Sequence, residues 1–258
     1  TLFFLLLSVY LLTANFRIGG GDGEAMYQVT HSIVTERDFS IPPAEPEIEV
    51  WGPNNALVSV EQRRKEGFGP HGAWGIDGEF YAKTGLGWSL VAIPFYTAGK
   101  TVAAIVPGLT EGYATRAAAT LVNTLALSIA GALLFLLASR FYPMPVAAVI
   151  ALGYGVASIT WAYARGTFSE PLVALALLCT VLCALLGEKG HTATWWAVAG
   201  LGLGGALLCR QAATVMAVPV AAWASWVGWR SGRLRGAVGN VLALGIPIGL
   251  AQAIAWAY

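Results

Sequence analysis

The chain has 258 residues, is 57% apolar and only 11% charged, and carries a formal net charge of +1; its mean hydropathy is +0.65. A soluble domain carries about 25% charged residues, so this composition excludes an ordinary soluble enzyme, a disordered tail and a disulfide scaffold, and it offers no basic footprint for nucleic acid. Eleven of the fourteen carboxylates fall between Arg17 and Lys83, and the remainder is long apolar runs with isolated charges. The pattern is that of an all-α, polytopic membrane helical bundle with one large polar first loop.

A bilayer span needs about 20 apolar residues. The opening run TLFFLLLSVYLLTANF has no small-residue cleavage site after it and is read as a first membrane helix, residues 1–16, rather than a signal peptide. With no initial Met and an apolar close (IPIGLAQAIAWAY), the chain reads as a piece of a longer protein. Three regions are expected: 1–16, a truncated span; 17–111, an extracytoplasmic loop with juxtamembrane helices; and 112–258, a bundle of about six spans.

The loop opens GGGDGEAMYQVTHSIVTERDF, with Met26, Val29, Ile33 and Val34 forming one apolar stripe at helical spacing. This predicts a short amphipathic helix on the membrane surface. Asp22, at its start, has two readings: an N-cap, or a carboxylate held at the water boundary as a base. Glu24 suits the helix dipole as a first-turn acid. The Pro- and Gly-rich stretch that follows is read as a surface loop, with Arg63, Arg64 and Lys65 either a solvated face or a contact for lipid phosphates. His31 is expected on the polar side of its helix and His71 in a loop; neither belongs to a recognisable ligand set. In IDGEFYAKTGLG, Asp77-Gly78 makes a turn, and Lys83 is either a snorkelling anchor or a phosphate-holding cation.

The run 86–99 has only fourteen residues, contains Pro94 and stops at Lys100, which favours an interfacial over a spanning segment. Spans are expected at 117–139, 143–163, 168–187, 194–209, 212–229 and 237–258. If 85–107 is interfacial and the N-terminus cytoplasmic, the basic cluster WRSGRLR is cytoplasmic, as the positive-inside rule requires. The same arrangement puts Asp22, Glu24, Lys83, Arg116, Arg165, Glu170 and Arg210 at the extracytoplasmic face. Arg116 begins a span. Ser169, Glu170 and Pro171 form a helix start, with Arg165 left for an ion pair or a substrate contact. Arg210 interrupts an apolar stretch too long for one span, so the chain turns there, and a charge between two short spans points to a cavity. Cys179, Cys183 and Cys209 are read as small buried hydrophobes.

Taken together, GDGEAMYQVTHSIVTERDFSIPP and DGEFYAKTGLGWSLVAIPFY resemble the first extracytoplasmic loop of membrane glycosyltransferases of the GT-C superfamily. The nearest groups are bacterial lipid-carrier-dependent enzymes related to the protein O-mannosyltransferases and to the aminoarabinose transferases that modify lipid A. The resemblance rests on the order of an acidic motif (Asp22), a Tyr-small-Lys-x-Gly motif (Tyr81, Lys83), an arginine at the next span (Arg116) and a later arginine between short spans (Arg210). Two departures stand out: Gly23 splits the acidic pair, and Ala82 occupies a position where some relatives have a glutamate. The second acid is therefore open among Glu24, Asp77, Glu79 and Glu170, with Glu24 named beside Asp22 as catalytic.

The resemblance implies a transferase that moves a sugar from a polyprenyl-phosphate carrier to an acceptor hydroxyl on a lipid, glycan or protein, with inversion if displacement is direct. Lys83, Arg116, Arg165 and Arg210 would hold the phosphate, Tyr81 and Glu170 would contact substrate, and Asp22 would take the acceptor's proton. It leaves a divalent cation open. The rival readings are a secondary transporter or lipid flippase, and a non-catalytic membrane scaffold.

Overall fold

The computed structural model describes residues 1–42, 71–190 and 193–258. The run Arg63–Lys65 lies outside the described residues. The bundle is helical almost throughout. α1 (Leu2–Thr13) is apolar on all sides and buries Leu6 and Tyr10, one turn apart. The Leu6 side chain fills the space over Gly131 and Gly155, and the Tyr10 hydroxyl donates to the Gly155 carbonyl at 2.9 Å.

α2 (Gly21–Thr35) buries Ala25, Met26, Tyr27, Val29, Thr30 and Ser32. That is wider than the predicted stripe, because the helix is wedged among protein elements rather than laid on a surface with one face free. It is followed by a hairpin, β1 (Gly72–Trp74) and β2 (Phe80–Ala82), with Gly72 opposite Ala82 and Trp74 opposite Phe80. Phe80 and Ala82 join Val29, Ile41 and Leu86 in a small core beneath the hairpin.

α3 (Leu86–Ile105) continues through both Pro94 and Lys100 to twenty residues, longer than the apolar run predicted. Lysine is a good helix former, and Lys100 reaches Glu111 at 3.5 Å. Even so, α3 is not one of the four helices that, among the described residues, are long and apolar enough to cross a membrane.

α4 (Glu111–Ala138) is the central rod, about 42 Å long at 1.5 Å per residue. It begins six residues before the predicted span, with Glu111 as a first-turn acid, so Arg116 sits in its second turn rather than at its start. α5 (Met144–Val156) and α6 (Thr160–Ala164) divide what was expected as one span. α7 (Glu170–Gly190) and α8 (Ala193–Cys209) follow, then a short 3-10 turn, Gln211–Met216.

α9 (Ala217–Ala257) doubles back on itself. A Cβ on Gly228 would lie 2.4 Å from the Gly236 backbone, and Asn240 Nδ2 donates to the Ala224 carbonyl at 3.2 Å, contacts a straight helix cannot make. Its two arms match the expected pair of spans, as residues 211–231 and 234–257. Close helix packing here uses small residues, as membrane bundles do: a Cβ on Gly200 would meet the Leu244 carbonyl oxygen at 2.3 Å. Cys183 and Cys209 are buried and Cys179 is half-buried, all three as free thiols. The fold is thus an all-α, multi-pass helical bundle.

Candidate active site

The first turn of α2, the end of the hairpin, the start of α7 and the turn after α8 meet around a cavity of about 920 Å³. Asp22, His71, Lys83, Glu170 and Arg210 line it, over an apolar floor that includes Met26, Leu86, Leu208 and Cys209.

Each charged group is delivered by a close backbone approach. α2 begins at the Gly20–Gly21 pair, with Gly20 at φ 81°, in the region where glycine is the natural occupant. Asp22 is therefore in the first turn. The N-cap position belongs to Gly20 and makes no side-chain cap bond, so the capping role considered for Asp22 is not the one it plays. Its carboxylate instead lies 3.2 Å from His71 Nδ1 and 3.6 Å from Lys83 Nζ, with 60% of the side chain exposed. Gly23 packs on the connection between α6 and α7: a Cβ there would stand 3.0 Å from both the Thr167 side chain and its carbonyl. The glycine that splits the acidic pair thereby lets α2 settle against the strand of chain that carries Glu170.

The Lys-x-Gly motif has a similar cause. A Cβ on Gly85 would lie 2.3 Å from the Leu208 carbonyl oxygen, and one on Gly87 would lie 2.6 Å from Cys209 Sγ. Without side chains at 85 and 87, the start of α3 rests directly on the end of α8. That contact sets Lys83 and Arg210 on one cavity. Arg210 is extended, at φ −157° and ψ 116°, and makes the predicted turn. It is ion-paired with Glu170, an arrangement in which the carboxylate orients the guanidinium.

The α6–α7 connection is pinned to α4 by polar side chains. Asn123 accepts from Trp88 Nε1 at 2.9 Å and donates to the Gly166 carbonyl at 2.8 Å. Thr124 donates to the Ala164 carbonyl at 3.0 Å. In an apolar bundle such bonds fix one arrangement, since the partners left unpaired would be costly.

Of the predicted site residues, Asp22, Lys83, Glu170 and Arg210 come together and the others do not. Glu24 pairs with Arg116 at 2.7 Å, and the Arg116 guanidinium stacks 4.5 Å from the Tyr27 ring centre. Arg116 lines a smaller cavity of about 290 Å³ with Tyr27, His31 and Tyr96. His31, expected to face solvent, is half-buried and bonded through Nδ1 to the Tyr96 hydroxyl at 2.7 Å. Arg165 is exposed and lines neither cavity, and Glu170 pairs with Arg210 rather than with it. Tyr81 donates to Asp77 Oδ2 at 2.6 Å at the hairpin tip; this bond pushes its phenol up to about 12 and holds the Asp77 carboxyl below the ordinary range. Asp77 and Glu79 sit at that tip, away from the cavity lining. Sequence reasoning missed His71, whose position depends on strand register. Its carbonyl accepts from the Lys83 N–H at 3.0 Å, which places two residues twelve apart in sequence side by side. No group of three His, Cys, Asp or Glu side chains suited to a metal gathers among the described residues.

A family model described as dolichyl-phosphate-mannose-protein mannosyltransferase matches residues 102–256, more than half of the chain. The chain belongs to this family. It is a membrane glycosyltransferase of the GT-C type, in agreement with the resemblance read from the polar loop. The matched stretch contains Arg116, Arg165, Glu170 and Arg210, whereas Asp22 and Lys83 lie before it. Neither the curated proteins nor the solved structures contain a match.

Proposed function

We propose that this transferase moves a sugar from a polyprenyl-phosphate carrier to an acceptor hydroxyl at the extracytoplasmic face, with inversion at the anomeric carbon. The reading rests on one observation: a solvent-reaching carboxylate, Asp22, shares a cavity with two cations, Lys83 and Arg210, above an apolar floor. Asp22 takes the proton of the acceptor hydroxyl as its oxygen bonds to the anomeric carbon. The bond from that carbon to the carrier phosphate breaks, and polyprenyl phosphate leaves with the electron pair. Lys83 and Arg210 stabilise the charge that develops on the phosphate oxygens. Glu170 is the second carboxylate of the site and holds Arg210 in place. Glu24, Arg116 and Tyr81 support the fold around the site rather than the reacting atoms, and Arg165 is given no role in the step.

The test uses membranes carrying the complete protein and labelled polyprenyl-phosphate mannose, read as label passed to acceptor. Asp22→Asn should reduce transfer by about 10²–10⁴-fold, the range of general-base catalysis; transfer at the normal rate would end this reading. The face is tested separately, in the complete protein with its native cysteines replaced. Single cysteines at positions 22, 170 and 210 should react with an impermeant thiol reagent from outside, and one at 232 should not. Labelling of 22 and 210 from opposite sides would rule out a shared site.

A further inference from the structure

The Asp22 carboxylate is flanked by a histidine that a general-base mechanism does not itself require. His71 Nδ1 lies 3.2 Å from Asp22 Oδ1, and the imidazole stacks on the first turn of α2. A Cβ on Gly21 would stand 1.9 Å from His71 Nε2 and 2.0 Å from Cε1, so only glycine leaves room for the ring. The Nε2 edge is thus turned to the helix backbone, which denies it the place of a base facing an acceptor. The hairpin fixes the other side: the His71 carbonyl is bonded to the Lys83 N–H at 3.0 Å, in line with the Gly72–Ala82 register. Residues opposite each other in an antiparallel pair share a face, which explains how both side chains reach the one carboxylate. The charged and titratable groups that line the cavity with the imidazole are Asp22 from α2, Lys83 from the end of the hairpin, Glu170 from α7, Cys209 from the end of α8, Arg210 from the turn that follows it and Tyr258 directly after α9.

We infer that His71 is a positioning residue for Asp22, with neutral imidazole donating its Nδ1–H to the carboxylate so that the opposite oxygen faces the acceptor hydroxyl. The inference rests on the assignment of Asp22 as the base. A neutral donor orients the carboxylate without cancelling its charge. A protonated ring would add a second cation beside Lys83 and weaken Asp22 as a proton acceptor.

The experiment measures kcat and KM for polyprenyl-phosphate mannose in the complete protein. His71→Ala should lower kcat about 10–100-fold, the scale of a roughly 1 Å misplacement of a reacting group, with KM for the donor and the thermal midpoint in detergent little changed. His71→Asn, whose amide nitrogen reproduces Nδ1, should recover most of kcat. The inference is overturned by a normal kcat in His71→Ala, by a failure of His71→Asn to recover kcat, or by a loss of kcat matched by a loss of thermal stability. Asp22→Asn separates the two layers. If it is inactive while His71→Ala is normal, only the positioning role fails; if it is active, the assignment of the base fails.

Discussion

Gly85→Ala isolates the contact that sets the two cations together. Gly85 has φ −65° and ψ 147°, a backbone conformation alanine adopts freely, and on conformational entropy alone the substitution should stabilise by about 0.4–1 kcal/mol. Sterically, the new methyl would meet the Leu208 carbonyl oxygen at 2.3 Å, the Cys209 carbonyl oxygen at 2.5 Å and the Cys209 carbonyl carbon at 2.7 Å. All three are backbone atoms, so no rotamer can yield. Restoring ordinary contact requires the start of α3 and the end of α8 to part by roughly 1 Å. Overpacking of this kind costs about 1–3 kcal/mol, which outweighs the entropic gain. The displacement falls on Lys83, two residues before Gly85, and on Arg210, directly after Cys209. A roughly 1 Å error in placing a reacting group costs about 10²-fold in rate. Transfer from polyprenyl-phosphate mannose should therefore drop about 30–100-fold, and the thermal midpoint in detergent should fall. Gly205→Ala, where nothing stands within 4 Å, is the control and should be neutral or mildly stabilising. Wild-type activity and stability in Gly85→Ala would refute the account of the motif.

Three further outcomes follow from the same geometry. Glu170→Gln, which leaves Arg210 without its charged partner, should reduce transfer at least about tenfold more than Glu24→Gln, because Glu24 meets Arg116 outside the cavity lining; steady-state rates of the two variants decide it. Asn123→Ala strands the Trp88 N–H and the Gly166 carbonyl and should cost about 2–4 kcal/mol, read from denaturation in detergent; a thermal midpoint equal to wild type would contradict it. The Asp77–Tyr81 bond should protect the hairpin tip above about pH 4, where the unfolded carboxyl is ionised, and lose that effect as pH falls through the lowered folded value. Its phenol side holds below pH 10 and is lost through about 12. Hydrogen exchange at the Gly75 amide, bonded to the Glu79 carbonyl at 2.8 Å, should show this dependence, and Tyr81→Phe should remove it without loss of transfer.

The apolar architecture was readable because it is written in composition and run length: apart from 143–163, which breaks into α5 and α6, each expected span has a helix in place, with ends shifted by a few residues. Arg210 as a turn and Asp22, Lys83 and Glu170 as cavity residues were also readable, since isolated charges at the ends of apolar runs have few structural reasons to be there. The charge partners left open by the sequence are decided by contacts that spacing does not encode. Arg165 and Glu170 are near in sequence, yet Glu170 turns to Arg210, forty residues on. Glu24 lies two residues from Asp22, a separation that puts them on different sides of a helix, and only one side faces the cavity. His71 emerged only with the hairpin register. Gly23 was noted as a departure from the family pattern; against Thr167 it is a packing requirement.

The last arm of α9 has a consequence for how the molecule is made. Ala255 and Tyr258 form part of the cavity lining, and the Tyr258 hydroxyl donates to the Ala82 carbonyl at 3.4 Å, joining this arm to the hairpin that carries His71 and Lys83. During synthesis the hairpin emerges long before its partner. The wall between them closes only when residues 234–257 have entered the bilayer, so a nascent chain halted before that point presents its carboxylate and cations without an enclosed pocket.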